Sequence, residues 1–497
     1  MVPRREPRVI SLAWMLFAAC MVALLLRAFF IWRFATDAGD TSLYQQLGYN
    51  WLYHHVYGMW ISGQLVPVDI RMPGYPAFLA AIAFFFGRSD LAIMLCQAVL
   101  DVGTCLLAAA LAAALAPPES RRRVAVVAAW LAATCPFLAN YCAVPLTEIP
   151  AAFFATAALV CFAHALRGAE SPQGNSAQGR LRASAWLAGG LCTGFATLLR
   201  PEMPLLAVAV APVMLWRWRK VSDWPRGLLA AALVLAGMLA PIAPWAARNR
   251  VTLHETQFLA PKYAQLPFEY VPLGYFAWTK TWLVHFRDVY ATVWTIEDTD
   301  LSIDQLPPSA FDSPAERARV AQLIDAYNDN GDDILPETDN GFGELARERT
   351  RRDPLRTYLW IPIERAFTIW FTPRIEFLPY SGQLRPLIAS FQADPVDFSV
   401  TLGFGALNFI YVGLALAGFA FAWRRSSAMP DARYVLATIA IFLVLRTAYL
   451  TTIEAPEPRY VVLCFPAVMA LVAQAARWRS RGELRARGDQ RSSSGSG

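Results

Sequence analysis

Several windows of this chain stay apolar for the length of a membrane crossing, among them residues 9–32, 91–116, 124–142 and 228–247. A helix needs roughly 20 such residues to cross a hydrocarbon core of about 30 Å. The bilayer offers no partner to an unpaired backbone amide, so these windows must be helices. The chain is therefore expected to be an all-α polytopic membrane protein. Composition agrees: 56% of the 497 residues are hydrophobic and 16% are charged, more apolar than one soluble core requires.

The run "RMPGYPAFLAAIAFFFG" at 71–87 is as apolar as a span but too short to be one. From Tyr75 to Phe86 a helix rises only about 18 Å. Basic clusters show where it belongs. Arg4, Arg5 and Arg8 precede the first span; Arg121 to Arg123, Arg180 with Arg182, Arg217 with Arg219 and Lys220, Arg424 with Arg425, and Arg477, Arg479 and Arg481 recur later. Placed in the cytoplasm, these clusters put both termini inside and leave about ten spans. Counting the PGYP run as a span would move Arg121 to Arg123 outside. Residues 33–90 are thus expected to form one outer loop whose helices dip into the interface. The first span lacks a convincing cleavage site and exceeds a signal-peptide core, so it reads as a retained anchor.

This topology divides the chain into an N-terminal transmembrane core at 1–248, an extracytoplasmic segment at 249–397, C-terminal transmembrane helices at 398–480 and a disordered cytoplasmic tail at 481–497 ending in "SSSGSG". The extracytoplasmic segment holds more than half of the acidic residues and no apolar run long enough to cross. Within it, "SPAERARVAQLIDAY" and "GELARERTRRDPLRTYLWIPIERAFTIWF" have helical spacing, the second with aromatics suited to the headgroup region. Asn328, Asn330, Gly331 and Glu337 fit part of a calcium loop, but Ala326 replaces the first acid, which favours a polar turn. The eight cysteines contain no CxxC and fall almost wholly within spans, so free buried thiols are expected. His54 and His55 are adjacent and point to different helix faces, which disfavours a metal pair.

Charged groups gather at the outer ends of the spans, all on one side in this topology. They are Asp37 with Asp40, Glu148, Arg200 with Glu202, Arg248, and the C-terminal Glu457, Arg459 and Tyr460. Clustered charge at a membrane edge suggests a site. Each also has a plainer reading. Asp40 would cap a helix starting at Thr41 and carrying Tyr44 in its first turn; Glu148 would cap the next span; Arg200 would snorkel and Arg248 anchor in the headgroups. Glu457 and Arg459 would pair with each other, and Arg446, inside the ninth span, would face protein.

"GDTSLYQQLGYNW", "RMPGYPAFLAAIAFFFG", "LTEIPAAFF", "TLLRPEMPLL", "PWAARNR" and "EPRYVVLCFPAV" follow in this order. Together they resemble the bacterial dolichyl-phosphate-mannose-protein mannosyltransferase-like family, of the glycosyltransferase C superfamily and similar to glycosyltransferase family 39. The resemblance implies a membrane enzyme taking a sugar from a polyprenyl-phosphate carrier outside the cytoplasmic membrane of a bacterium. It implies Asp40 and Glu148 as catalytic acids and Arg200 and Arg248 near the carrier phosphate. Asp37, Tyr44, Tyr75, Glu202, Glu457, Arg459 and Tyr460 complete the expected substrate-binding set. The sequence departs from the family at Thr41, where relatives often carry a second acid after the first. A divalent cation therefore gains no support from this loop, and no other cofactor is expected.

The chemistry suits these residue types. An ionised Asp accepts the proton of an attacking hydroxyl, and arginine offers a planar, permanently charged fork to phosphate oxygens. Direct displacement at the anomeric carbon inverts it. No glycine loop of the P-loop or Rossmann kind is present, so a soluble nucleotide sugar is not the expected donor. The expected partners are the bilayer, the polyprenyl-phosphate sugar (hexosyl or pentosyl) and a glycan, lipid or protein acceptor, with no nucleic acid. The alternative is a transporter or flippase of a lipid-linked sugar, which would show internal repeats and midplane polar groups; a non-catalytic scaffold would leave the one-sided charge cluster without a purpose.

Overall fold

The computed structural model describes residues 11–167, 176–263, 270–294, 296, 299–331 and 333–476. The basic clusters at 4–8 and 477–481 and the tail at 481–497 lie outside the described residues. Helix α1 (Leu12–Phe34) opens at Ser11, whose hydroxyl accepts the Trp14 amide at 3.3 Å. Then follow α2 (Gly39–His54), strands β1 (Gly58–Ile61) and β2 (Gln64–Pro67), α3 (Gly74–Phe86), α4 (Asp90–Leu115), α5 (Arg121–Ala133), α6 (Pro136–Cys142), α7 (Glu148–Leu166), α8 (Ser176–Leu199), α9 (Leu205–Arg217) and α10 (Trp224–Thr252). Among the described residues seven helices are long and apolar enough to cross a bilayer, or eight if the bent pair α5–α6 is one span. The count of about ten read from the basic clusters also takes in α8 and α9, the latter only 13 residues long.

The PGYP run is a short helix, as its length requires. Pro73 precedes the first residue and Pro76 lies in the first turn, where helices owe no amide hydrogen bond. Gly87, at φ 72°, ends it. Two glycines explain its seat between α2 and α8: a Cβ on Gly74 would stand 2.5 Å from the Leu198 carbonyl, and one on Gly48 2.7 Å from that of Pro76. The hairpin β1–β2 was not legible in four-residue strands. Its turn residues Ser62 and Gly63 both have positive φ, 48° and 80°, the pairing a tight two-residue hairpin needs.

The window 124–142, read as one span, is two helices meeting at 51°. Pro136 starts the second and removes an amide from the ladder. Arg27 of α1 repairs the break: it donates to the carbonyls of Ala132, at 3.0 Å, and Ala133. Asp101 of α4 neutralises it, accepting from Nε at 2.8 Å and Nη2 at 2.6 Å. Both side chains are fully buried.

The outer segment carries α11 (Leu273–Thr279), α12 (Phe286–Thr292), α13 (Pro314–Asn328), α14 (Pro336–Arg352), α15 (Ile361–Phe371) and α16 (Leu387–Ala393) before α17 (Pro395–Arg425), α18 (Pro430–Leu450) and α19 (Phe465–Ala475). It has its own core of Tyr275, Trp278, Ile324, Tyr327, Phe342 and neighbours. α13 forms where its spacing predicts. The second expected helix starts earlier, at Pro336, and stops at Asp353, because Pro354 disfavours helical backbone in the residue before it; a π turn at Arg356–Trp360 leads into α15. Asn328 pairs with both backbone groups of Leu301, at 3.0 and 2.9 Å, as a polar turn would. All eight cysteines are free, four of them buried and four half-buried.

The Arg27–Asp101 pair yields a test. Arg27→Met strands a buried carboxylate and should cost about 3–5 kcal/mol, whereas Arg27→Met with Asp101→Leu should recover much of that loss. Thermal unfolding of the purified variants in detergent measures both, and a double variant no more stable than the single one would show that the carbonyl contacts, not the charge, carry the effect.

Candidate active site

Asp40 does not cap its helix. α2 begins at Gly39, two residues before the expected start at Thr41, and follows Ala38, whose amide donates to Thr41 Oγ1 at 3.1 Å. Asp40 thus lies in the first turn, and its carboxylate reaches away from the helix. Oδ1 accepts from Arg71 at 3.0 Å and Oδ2 from Arg459 at 3.1 Å. Burial pushes this carboxyl up, but Arg459 and Arg71 more than offset that and hold it below the usual carboxylate range. Thr41 Oγ1 donates to the Pro145 carbonyl at 3.2 Å, tying the start of α2 to the connection before α7.

Arg459 meets three acids: Asp40, Glu457 and, at 4.0 Å, Glu148. Glu148 in turn accepts from Arg200 at 2.5 Å, Arg200 lies 3.6 Å from Glu202, and Glu202 accepts from Arg446 at 3.0 Å. Three carboxylates and four guanidinium groups therefore alternate from Arg71 to Arg446, with Glu457 as a fourth carboxylate branching from Arg459. Local sequence aims each one. Glu148 is the first residue of α7, where the helix dipole favours a carboxylate. Arg200 and Glu202 flank Pro201 just past the end of α8, and Pro458 sets the first turn of a 3-10 helix at Pro458–Cys464 that presents Arg459. The Tyr460 hydroxyl donates to Glu457, and its ring lies 4.8 Å from the Arg200 guanidinium. Tyr44, one turn after Asp40, is pushed up to about 12, first by burial and then by Asp40.

Asp40 and Arg459 line two cavities at once. One, of about 240 Å³, presents Arg71, Glu148, Arg200, Lys262, Tyr44 and Tyr460. Here Glu148 Oε2 is buried without a hydrogen bond. The other, of about 1030 Å³, presents Asp37, Glu376, Glu457, Tyr290 and Trp294. Of the expected residues, Asp40, Tyr44, Glu148, Arg200, Glu202, Glu457, Arg459 and Tyr460 come together, and Asp37 is exposed at the rim of the larger cavity. Arg446 faces protein, as expected.

Two residues stand elsewhere. Arg248 donates to the carbonyls of Tyr57, at 2.6 Å, and Val68, at 2.9 Å, clamping the ends of the β1–β2 hairpin beside a separate cavity of about 320 Å³. It lines neither of the two cavities at Asp40, because α10 ends against the hairpin. Tyr75 is fully buried; its hydroxyl donates to Gln97 at 2.8 Å and its ring supports Tyr44 edge-on at 5.2 Å. Three contributors escaped the sequence reading: Arg71, Lys262 and Glu376. For Arg71 a signal existed, a lone cation opening the PGYP motif; the others sit in segments without a pattern. His54 packs on Trp60, and among the described residues no group of three His, Cys, Asp or Glu is placed to hold a metal ion.

Titration should separate these acids. Burial pushes the Glu457 carboxyl up against the pull of Arg459, and the Glu376 carboxyl up against a hydrogen bond from Tyr141 and the charge of Arg374. A raised carboxyl binds its proton more tightly in the folded state, so each favours folding progressively as pH falls from neutral toward about 4.5. Asp40 acts oppositely: its contribution is present above its ordinary value near 3.8 and is lost as pH falls through its lowered one. The slope of melting temperature against pH between about 7 and 5 should therefore flatten in Glu376→Gln, whatever its absolute stability. An unchanged slope would mean that Glu376 titrates at its ordinary value.

Residues 71–245 match the family model described as dolichyl-phosphate-mannose-protein mannosyltransferase. No curated protein matches the chain. Among solved structures, an oligosaccharyltransferase of Archaeoglobus fulgidus tethered to an acceptor peptide is similar at 16% identity and a TM-score of 0.52, over 94% of this chain and 49% of that one. The oligosaccharyltransferase AglB of Archaeoglobus fulgidus in complex with an inhibitory peptide and a dolichol-phosphate gives 15% and 0.48, over 94% and 50%. ArnT of Cupriavidus metallidurans bound to undecaprenyl phosphate gives 14% and 0.41, over 94% and 78%. The chain spans about half the length of the oligosaccharyltransferase chains it matches. Over residues 71–245 it matches the family its six motifs resemble, and it has the glycosyltransferase C fold.

Proposed function

We propose that this chain is a membrane glycosyltransferase that moves a hexosyl or pentosyl group from a polyprenyl-phosphate donor to an acceptor hydroxyl, with inversion, on the outer face of the bacterial cytoplasmic membrane. One observation carries this reading: Asp40 and Arg459 stand between a small cavity rich in cations and a large one open to an acceptor. In the small cavity Arg71, Arg200 and Lys262 meet the donor phosphate, so Arg71 takes the role that the family resemblance implied for Arg248. The donor phosphodiester carries one negative charge. As its bond to the anomeric carbon breaks, the leaving polyprenyl phosphate gains a second. Fixed cations therefore favour the transition state over the bound donor. Glu148 lines this cavity, and its Oε2, without a hydrogen bond, suits a hydroxyl of the donor sugar.

The acceptor oxygen attacks the anomeric carbon from the opposite side and its proton passes to Asp40. The two arginines on Asp40 keep it ionised at neutral pH and orient it, at some cost in basicity. Asp40→Asn removes the proton acceptor while keeping the shape. Turnover should fall about 100 to 10,000-fold with donor binding retained. Arg200→Ala should instead weaken donor binding roughly tenfold or more, with Lys rescuing only part. Near-normal transfer by Asp40→Asn would make Glu148 the leading base; movement of labelled donor across vesicles without transfer would favour the transport reading.

The orientation rests on charge asymmetry. A cysteine replacing Asn330 should react with an impermeant reagent in intact cells, and one replacing Ser120 should not. Labelling at Ser120 would invert the topology and move the site to the cytoplasmic face.

A further inference from the structure

We infer that the acceptor is an oligosaccharide of neutral or amino sugars, seated in the large cavity between the aromatic wall of α12 and the carboxylates of Asp37, Glu376 and Glu457. The inference rests on the reading of Asp40 as base. Phe286, Tyr290 and the adjoining Trp294 form the wall, with Trp294 edge-on to Phe286 at 5.3 Å and to Tyr290 at 5.6 Å. Tyr290 is 63% exposed and Trp294 39%. Large rings left bare beside a site mark a binding face.

The charged lining, Asp37, Asp40, Glu376 and Glu457 with Arg33 and Arg459, is acidic in excess of its cations. Arg459 neutralises Asp40 and Glu457, but among the described residues neither Asp37 nor Glu376 makes an ion pair. Glu457, its side chain 2% exposed, is held against the Arg459 guanidinium, so the carboxylates left for an occupant are Asp37 and Glu376. Ionised carboxylates only accept hydrogen bonds, so the occupant must present donors to them. Sugar hydroxyls and ammonium groups do, while the C–H face of a pyranose suits an aromatic ring. A peptide backbone brings as many carbonyls as amides, and its carbonyls would face carboxylates. A phosphorylated or uronic glycan would be repelled. At about 1030 Å³ the cavity reaches the upper end of small-ligand sites, about 300–1,000 Å³, so more than one ring fits. In the transfer step a hydroxyl of the oligosaccharide gives its proton to Asp40 and its oxygen bonds to the anomeric carbon, while polyprenyl phosphate leaves with the electron pair of the broken bond.

The purified full chain in nanodiscs tests this. Its binding is measured to arrays of neutral and amino-sugar oligosaccharides, to anionic oligosaccharides and to serine- and threonine-rich peptides, with polyprenyl phosphate binding measured on the same preparation. At least one neutral or amino-sugar oligosaccharide should bind. Trp294→Ala and Glu376→Gln should each weaken it tenfold or more without changing polyprenyl phosphate binding. Tyr290→Ala, at an exposed position, repeats the test should Glu376→Gln fold poorly. A peptide or anionic glycan as the best ligand, no saccharide binding, or saccharide binding indifferent to these variants would overturn the inference. Loss of polyprenyl phosphate binding by the unmodified chain would instead count against the transferase reading.

Discussion

Arg459 is the hub on which the site depends. Its guanidinium faces Asp40, Glu148 and Glu457, and through Glu148 it is linked to Arg200, Glu202 and Arg446. Asp40 and Arg459 are 419 residues apart in the chain. None of these groups could be buried alone, because an uncompensated charge in a low-dielectric interior costs several kcal/mol even after relaxation. Each segment's place is therefore conditional on the others. The start of α2, the start of α7, the turn after α8, the end of α18 and the 3-10 turn before α19 form one electrostatic unit.

A second charge pair determines where that unit stands. Arg27 and Asp101 hold the bend between α5 and α6, and the chain leaving α6 then receives the Thr36 amide on Ala143, at 3.2 Å, and the Thr41 hydroxyl on Pro145. The loop carrying Asp40 is thus hung on backbone that the bend has positioned. A straight helix through 124–142 would carry those carbonyls elsewhere. An ionisable pair deep among apolar helices is commonly read as a transport element; here its contacts are with carbonyls that a broken helix has left open, which is a structural use of the same chemistry.

Asp40 shows the compromise a charged site makes. Two arginines orient it and keep it ionised, and the same contacts would weaken it in the proposed role of base. In the proposed transfer the surrounding cations serve the opposite end of the reaction, where negative charge grows on a departing phosphate. A lone carboxylate would be a better base in a worse position. The alternation of acids and arginines leaves the membrane-edge cluster without a net buried charge.

The amino-acid sequence by itself determined the helical membrane fold, the short reach of the PGYP helix and the set of charges that share one side, because these follow from local length, hydropathy and the position of basic residues. It also singled out Asp40, Glu148, Arg200 and Arg459. Which of those charges touch was decided only by the tertiary structure. Arg248 and Arg200 look alike as cations at span ends, yet one clamps a hairpin that four-residue strands could not announce, and the other reaches Glu148. Tyr75 turned inward to Gln97, and Arg71, read only as the first letter of a motif, turned toward Asp40. Ion pairs are contacts across long sequence separations. Their partners depend on how helices pack and where they break, and neither is written in the local pattern of any one segment.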